Sequence, residues 1–295
     1  MRILVIGGSY FLGRWFVQHA YGKHEITVLN RGNIPIRLDG VTELKADRHN
    51  DSELCKLDQP ETIFDAVVDF CAYGEGDIRL ILKHLCTPPE RYIYLSTVDV
   101  YKKDAEAGTF GNEAEYIRGK AALEDELLTE CTSRNIKGVS VRPVIVYGPG
   151  NYAPRESIYL EWIKKAGQII HPVDSDGYFQ MIYVSDAALG ILRLCELPKE
   201  ELEDSYDFCT DEVVTYASFE TALSEALRLH EQKGSDEQMF TKVDVTVDMV
   251  IKQGIPLPFP LTRAGSSAYP GDRFKKLGIK ITPLRDGLLE CIKVF

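Results

Sequence analysis

The sequence predicts an α/β fold: a doubly wound parallel sheet followed by a smaller C-terminal lobe. Three observations carry this. Apolar runs of strand length alternate with segments of helical period. Those runs are continuously apolar, as in strands covered on both faces. The first run breaks into glycines where a helix begins.

"RILVIG" opens the chain as a strand, 11–21 has helical period, and "EITVLN" at 25–30 and "VTELKAD" from 41 supply two more strands. "FDAVVDF" at 64–70 is a fourth strand and 77–86 a helix. "RYIYLST" at 91–97, a helix over 113–131 and "GVSVRP" at 138–143 continue the rhythm. Asn112 with Glu115 three residues on gives that helix a capping-box start. After "YGPGNYAP" the rhythm loosens, so a second lobe is expected near 150. "MIYVSDAALGILRLCEL" reads as one further strand and helix, returning the chain to the first domain over 181–210. The lobe then comprises 151–180 and 211–295, with a proline-rich loop in "GIPLPFPLTRAG" and a final amphipathic helix over 284–294.

At 295 residues and 44% hydrophobic content the chain can bury a sizeable core. A formal net charge of -11 disfavours nucleic acid and anionic membrane surfaces as partners. Seven scattered cysteines with no C-x-x-C pair suggest reduced thiols, not disulfides or zinc. The four-residue "ILVI" is too short for a signal core or membrane span, and a cytoplasmic location is expected. His49, His84 and His171 have no second ligand at metal spacing, so no metal is expected.

The turn from Gly7 to Gly13, with Gly8, Tyr10, Phe11 and Leu12 between, is a place where a pyrophosphate can rest on backbone N–H groups and a helix dipole. The same glycines would also serve a plain strand-to-helix turn. The second strand ends on Asn30 and Arg31, where a cofactor with a free ribose 2′-hydroxyl usually meets an acid. Arg31 can pair with a 2′-phosphate, which favours NADP over NAD, or it is a solvated loop charge.

"YIRGK" places Tyr116 and Lys120 four apart on one helix face. An ammonium beside a phenol favours the phenolate, so the pair could exchange a proton with a carbinol or carbonyl, and Lys120 could also hold a ribose. Gly119, costly in mid-helix, implies close packing against the backbone there. Asp99, after "LSTV", is a candidate base or an ordinary capping carboxylate.

Together with "RPVIVYGPGN" at 142–151 and "IYVSDAA" at 182–188, these motifs resemble the extended, epimerase/dehydratase-like branch of the short-chain dehydrogenase/reductase superfamily over nearly the whole chain. The resemblance implies a Rossmann-type sheet, a substrate-binding C-terminal lobe, and NADP or NAD as cofactor. It implies a catalytic set of Thr97, Tyr116 and Lys120, Thr97 binding the reacting oxygen, and Asp47 contacting the adenine amino group. Pairing into a homodimer through the helix bearing Tyr116 is implied by the same analogy. Tyr10 departs from the family pattern, standing where its G-x-x-G-x-x-G turn has a middle glycine.

Dehydratases of this branch carry an acid directly after the Thr, where this chain has Val98, so elimination of water loses support. Sugar-nucleotide enzymes of the branch carry an Arg where this chain has Phe179, so a nucleotide-sugar substrate loses support unless Arg155 replaces that Arg. Tyr152, Trp162 and Phe179 would suit an apolar or aromatic substrate face, or they pack the core. The expected function is hydride transfer at a carbinol or carbonyl carbon of a small molecule, by an epimerase or a reductase. "GGSYFLGR", "LNRG" and "ADR" also resemble an atypical subgroup that includes the chloroplast stem-loop-binding proteins. That implies a non-catalytic, RNA-associated or nucleotide-sensing alternative, against which the net charge and the intact Tyr-x-x-x-Lys both argue.

Overall fold

A computed structural model describes residues 1–102, 111–234 and 237–295, the side chains of 111–113 excepted. In chain order the first elements are β1 (Arg2–Ile6), α1 (Phe11–Ala20), β2 (Glu25–Asn30), β3 (Val41–Lys45), α2 (Asp51–Leu54), β4 (Ala66–Asp69), α3 (Asp77–Lys83), β5 (Arg91–Leu95), α4 (Gly111–Ser133) and β6 (Lys137–Pro143). Then come β7 (Ile145–Tyr147), α5 (Glu156–Ala166), β8 (Gln168–Pro172), β9 (Met181–Tyr183), α6 (Val184–Glu196), β10 (Ser205–Phe208), α7 (Tyr216–Glu231), β11 (Thr241–Val245), α8 (Val247–Gln253), α9 (Asp272–Lys275) and α10 (Leu284–Val294).

Seven strands form one sheet in the order β10-β6-β5-β4-β1-β2-β3, with every pairing parallel. This is the doubly wound Rossmann-type topology, and its strand order reverses between β1 and β4. Ligands of such sheets bind outside the carboxyl ends at that reversal, because the chain leaves β1 and β4 toward opposite faces and a crevice opens between the two loops. The apolar strands bury Leu4, Ile6, Val67 and Tyr92 against Ile78, Ile81, Leu123 and Leu127 of α3 and α4. The capping pair Asn112 and Glu115 rests on an Asn112 side chain outside the described residues.

The chain divides into two compact units: Met1–Val144 with Ala187–Phe208 and Asp272–Ile279, and Ile145–Asp186 with Cys209–Gly271 and Lys280–Phe295. Asp272–Ile279 joins the first unit, where the Phe274 ring lies 4.5 Å from that of Phe208. The second unit contains two short parallel pairs, β8 with β11 and β7 with β9. Its centre is aromatic: Phe259, from the proline-rich loop, stacks on Phe179 at 4.1 Å and contacts Phe219, Tyr216 and Tyr159. Tyr216 of α7 donates its phenolic proton to the Phe259 carbonyl at 2.7 Å. The elements between 205 and 253 are ones that the sequence pattern leaves unassigned. Among the described residues no helix is long and apolar enough to cross a membrane.

Candidate active site

β1 runs into a turn whose glycines are required sterically. Gly7 has φ +85, and a side chain on Gly13 would lie 2.4 Å from the Gly7 carbonyl oxygen, so α1 starts directly on the turn. Tyr10 sits at φ -137 and ψ 148, ordinary extended backbone, and is exposed, so its side chain leaves the turn's path intact. The left-handed conformation falls one residue later, on Phe11 at φ 40. A bulky residue there costs about 1–3 kcal/mol, strain of the kind that gathers at functional sites. Leu12 is buried under the turn.

Several polar atoms at the carboxyl edge are buried with no hydrogen-bond partner among the described residues: Ser9 Oγ in the turn, Asn30 Nδ2 at the end of β2, and Ser96 Oγ just past β5. Buried polar groups are rarely left unmatched, and these three border the crevice of a doubly wound sheet. They fit a polar ligand such as a dinucleotide. The Asn30 side-chain carbonyl accepts from the Gly32 N–H at 2.7 Å, Arg31 is exposed, and Asp47 accepts from the His49 N–H at 3.0 Å.

Lys120 is 2% exposed, yet no carboxylate lies within ion-pair distance of it among the described residues. Its ammonium donates to the carbonyls of Ala72 at 3.0 Å, past β4, and Leu95 at 2.8 Å, at the end of β5. Three phenol rings surround it, with centroids 4.4 Å away for Tyr73, 5.0 Å for Tyr94 and 5.8 Å for Tyr116. Burial pulls its pKa down to about 8, a penalty that the more distant Asp69 offsets in part. The phenols differ. Tyr94 is buried and burial drives its pKa far above the ordinary range, so it stays protonated. Tyr116 and Tyr73 are 43% and 54% exposed, placing two accessible phenols beside one buried cation. Gly119 makes this possible: a side chain there would lie 3.0 Å from the Tyr73 carbonyl, so α4 rests on the loop after β4.

Thr97 opens a 3₁₀ turn over Val98–Lys102, donating its hydroxyl proton to Asp99 at 3.2 Å and accepting from the Asp99 N–H at 3.2 Å. Asp99 also pairs with Lys102 at 3.1 Å, the arrangement of a capping carboxylate. Tyr101 in the same turn donates to Asp207 at 2.9 Å and accepts from Arg142 at 2.8 Å, while Arg142 grips Glu124 of α4 with two bonds. These bonds fix α4 against β6 and β10.

A second network escaped the sequence analysis. Arg48, buried just after β3, donates to Asp69 at 2.8 Å and to the Asp77 carbonyl at 2.8 Å. Asp69 also accepts from Tyr92 at 2.7 Å, and Asp77 accepts from the N–H groups of Tyr73 and Gly74 at 2.8 and 3.1 Å. Burial alone would lower the Arg48 pKa, but Asp69 overrides it and holds the guanidinium charged. Burial likewise works against the Asp77 charge, but Arg48 and the two N–H groups outweigh it and leave Asp77 below the usual carboxylate range. The network anchors the loop carrying Ala72 and Tyr73. Its sequence signal was Asp69, an acid ending an otherwise apolar buried strand.

In the second unit Tyr152 is exposed and Arg155 half-buried ahead of α5. Of the two readings the sequence leaves open for Phe179, its surroundings match core packing. It is 3% exposed and stacked on Phe259. Trp162 packs edge-on against Tyr159 at 5.3 Å. The histidines differ from expectation in one place: Cys55, Asp58 and His84, from different elements, bring ligand atoms within 4.8 Å of one another.

The model of the NAD dependent epimerase/dehydratase family matches residues 3–207. The chain belongs to that family. A relative, the chloroplast stem-loop binding protein of 41 kDa b from Arabidopsis thaliana, is 28% identical over 242 residues, 76% of this chain and 63% of that protein. The chain thus spans less than two thirds of that relative's length. Two solved structures share the family's fold. One is a UDP-N-acetylglucosamine 4-epimerase from Methanobrevibacter ruminantium in complex with UDP-N-acetylmuramic acid, with TM-score 0.74 and 16% identity, covering 100% of this chain and 97% of that one. The other is the UDP-glucose 4-epimerase of Thermus thermophilus in complex with NAD, with TM-score 0.71 and 20% identity, covering 100% and 98%. At these identities the likeness establishes the fold.

Proposed function

We propose that the chain is an NAD-dependent epimerase or reductase acting at a carbinol or carbonyl carbon of a small molecule. The observation that carries this is the buried Lys120 ammonium, held by two carbonyls beside the accessible Tyr116 phenol. The residues fit a dinucleotide: the Gly7–Gly13 turn and the start of α1 for the pyrophosphate, Asn30 and Arg31 for the adenine ribose, Asp47 for the adenine, Lys120 for the nicotinamide ribose. NAD, when bound, supplies the hydride acceptor and donor.

Tyr116, as the phenolate, takes the carbinol proton on its phenolic oxygen and, as the phenol, gives a proton to the carbonyl in the reverse direction. Lys120 stabilises the phenolate charge that develops in that exchange, and two of its three N–H groups remain on Ala72 and Leu95. The Thr97 hydroxyl donates its hydrogen bond to Asp99 and accepts one from the Asp99 N–H. The single carbinol proton is the one Tyr116 removes, so Thr97 contacts the reacting oxygen as a donor, once its bond to Asp99 opens. Asp99 acts through Thr97 and as the cap of the turn.

Cofactor choice turns on Arg31, whose exposed guanidinium would favour a 2′-phosphate. The substrate is a sugar or another small molecule; with Phe179 in the core, Arg155 is the candidate cation for a diphosphate in the second unit, which we propose as the substrate-binding lobe. Pairing through α4, where Leu128 is 62% exposed, would form a homodimer.

The test is calorimetric titration with NAD, NADH, NADP and NADPH, paired with Tyr116→Phe. Tight, retained NAD(H) indicates an epimerase and exchangeable NADPH a reductase. Tyr116→Phe should lower turnover by about 10²–10⁴-fold with cofactor affinity unchanged. Failure to bind any of the four, or full activity in the variant, overturns the proposal.

The stem-loop-binding relative favours a second reading, an RNA-associated protein on the same fold. The net charge of -11 opposes it. Micromolar binding of a stem-loop RNA at physiological salt, without turnover, would decide for it.

A further inference from the structure

Away from Lys120, the first unit brings together three chemically different metal-ligating side chains from two distant segments. Cys55 and Asp58 lie in and just after the 3₁₀ turn that follows α2, and His84 caps α3. Each offers one ligand atom, and the three atoms lie within 4.8 Å of one another. A tetrahedral zinc with one sulfur ligand and nitrogen or oxygen ligands separates them by roughly 3.3–3.6 Å, so the group needs only small side-chain adjustments to close on an ion.

The His84 ring is 3% exposed and bridges two carboxylates. Nδ1 faces Asp58 at 3.0 Å, and Nε2 faces Asp51 at 3.1 Å. A ring nitrogen opposite a carboxylate either carries a proton or shares a cation with it. The Asp51 contact resembles the carboxylate–imidazole pair that orients metal-bound histidines, directing the other ring nitrogen's lone pair toward the ion. Sulfur, imidazole and carboxylate together suit a borderline divalent ion and disfavour magnesium or calcium, which select all-oxygen sites.

We propose that Cys55, Asp58 and His84 bind one zinc-class divalent cation, with Asp51 orienting His84 and water completing the coordination. The ion clips the turn after α2 to the end of α3, and its binding releases the Cys55 thiol proton to solvent. The assignment is independent of the NAD reading.

The experiment is titration of the tag-free, metal-stripped full chain with Co²⁺, followed by displacement with Zn²⁺. Expected are one equivalent of Co²⁺, visible bands of tetrahedral intensity and a near-ultraviolet thiolate-to-cobalt band. Zn²⁺ should displace the cobalt and raise the melting temperature. Cys55 is exposed, so Cys55→Ser should fold normally, abolish the thiolate band and weaken binding at least tenfold. Asp51→Asn should keep the band and weaken binding by about 10–100-fold. Cys86, also exposed, serves as control, and Cys86→Ser should change nothing. Absence of the thiolate band, its survival in Cys55→Ser, or its loss in Cys86→Ser would overturn the assignment.

Discussion

Arg48 and Lys120 are both buried cations in the first unit, but their surroundings are opposite in kind. Arg48 is enclosed by charge, with Asp69 at 2.8 Å and Asp77 at 3.7 Å. Lys120 is enclosed by neutral dipoles and rings. Desolvation penalises both ammonium and guanidinium. At Arg48 a carboxylate outweighs it and the charge is locked, whereas at Lys120 carbonyls and π faces only partly replace water and the pKa falls to about 8. A locked charge holds a loop; a poised one can respond to a reacting neighbour.

The largest effect should come from breaking the lock. Arg48→Met leaves Asp69 and Asp77 buried without their cation and should cost about 3–5 kcal/mol in urea unfolding. Adding Asp69→Asn should recover part of that loss, since it removes one of the two stranded charges while Asp77 keeps the Tyr73 and Gly74 N–H groups. A cost for the single variant within ordinary surface values would break the comparison.

Next in size is a pH effect at Lys120. Between the native value of about 8 and the ordinary lysine value, the unfolded chain binds more protons than the native one, so stability rises with pH across that window and is flat below it. Lys120→Met lacks the group and should lack that rise, a difference of about 1.4 kcal/mol for each pH unit crossed within the window. Parallel unfolding curves for the two proteins from about pH 7 to 10.5 would contradict a poised lysine.

The smallest effect belongs to Tyr73. Tyr73→Leu removes a ring 4.4 Å from the ammonium, a cation–π contact worth about 0.5–2 kcal/mol, and so favours neutral Lys120. The stability rise should then begin at lower pH, while Tyr73→Phe, which keeps the ring, should leave it nearly in place.

What could be read from the residues follows from range. The helix face shared by Tyr116 and Lys120, the Gly7–Gly13 turn and the final helix, α10, rest on periods and steric demands spanning a few residues. Gly119 signalled close packing but not its partner, the Tyr73 carbonyl. Asp69 was visible as an acid in an apolar strand, but its match to Arg48 joins β4 to the end of β3, two elements that are not neighbours in the sheet. Tyr73 carries no motif at all. Phe179 shows the converse, a side chain whose chemistry suits a ligand face as well as a core, and only its partner Phe259 decides.

The sequence by itself therefore determined the doubly wound fold and its family, because local hydrophobic period and backbone permissiveness specify strands, helices and the first turn. Tertiary structure decided which charges are locked and which are poised, and which histidine meets a cysteine. Those properties depend on desolvation and on distances between segments far apart in the chain, which no local pattern encodes.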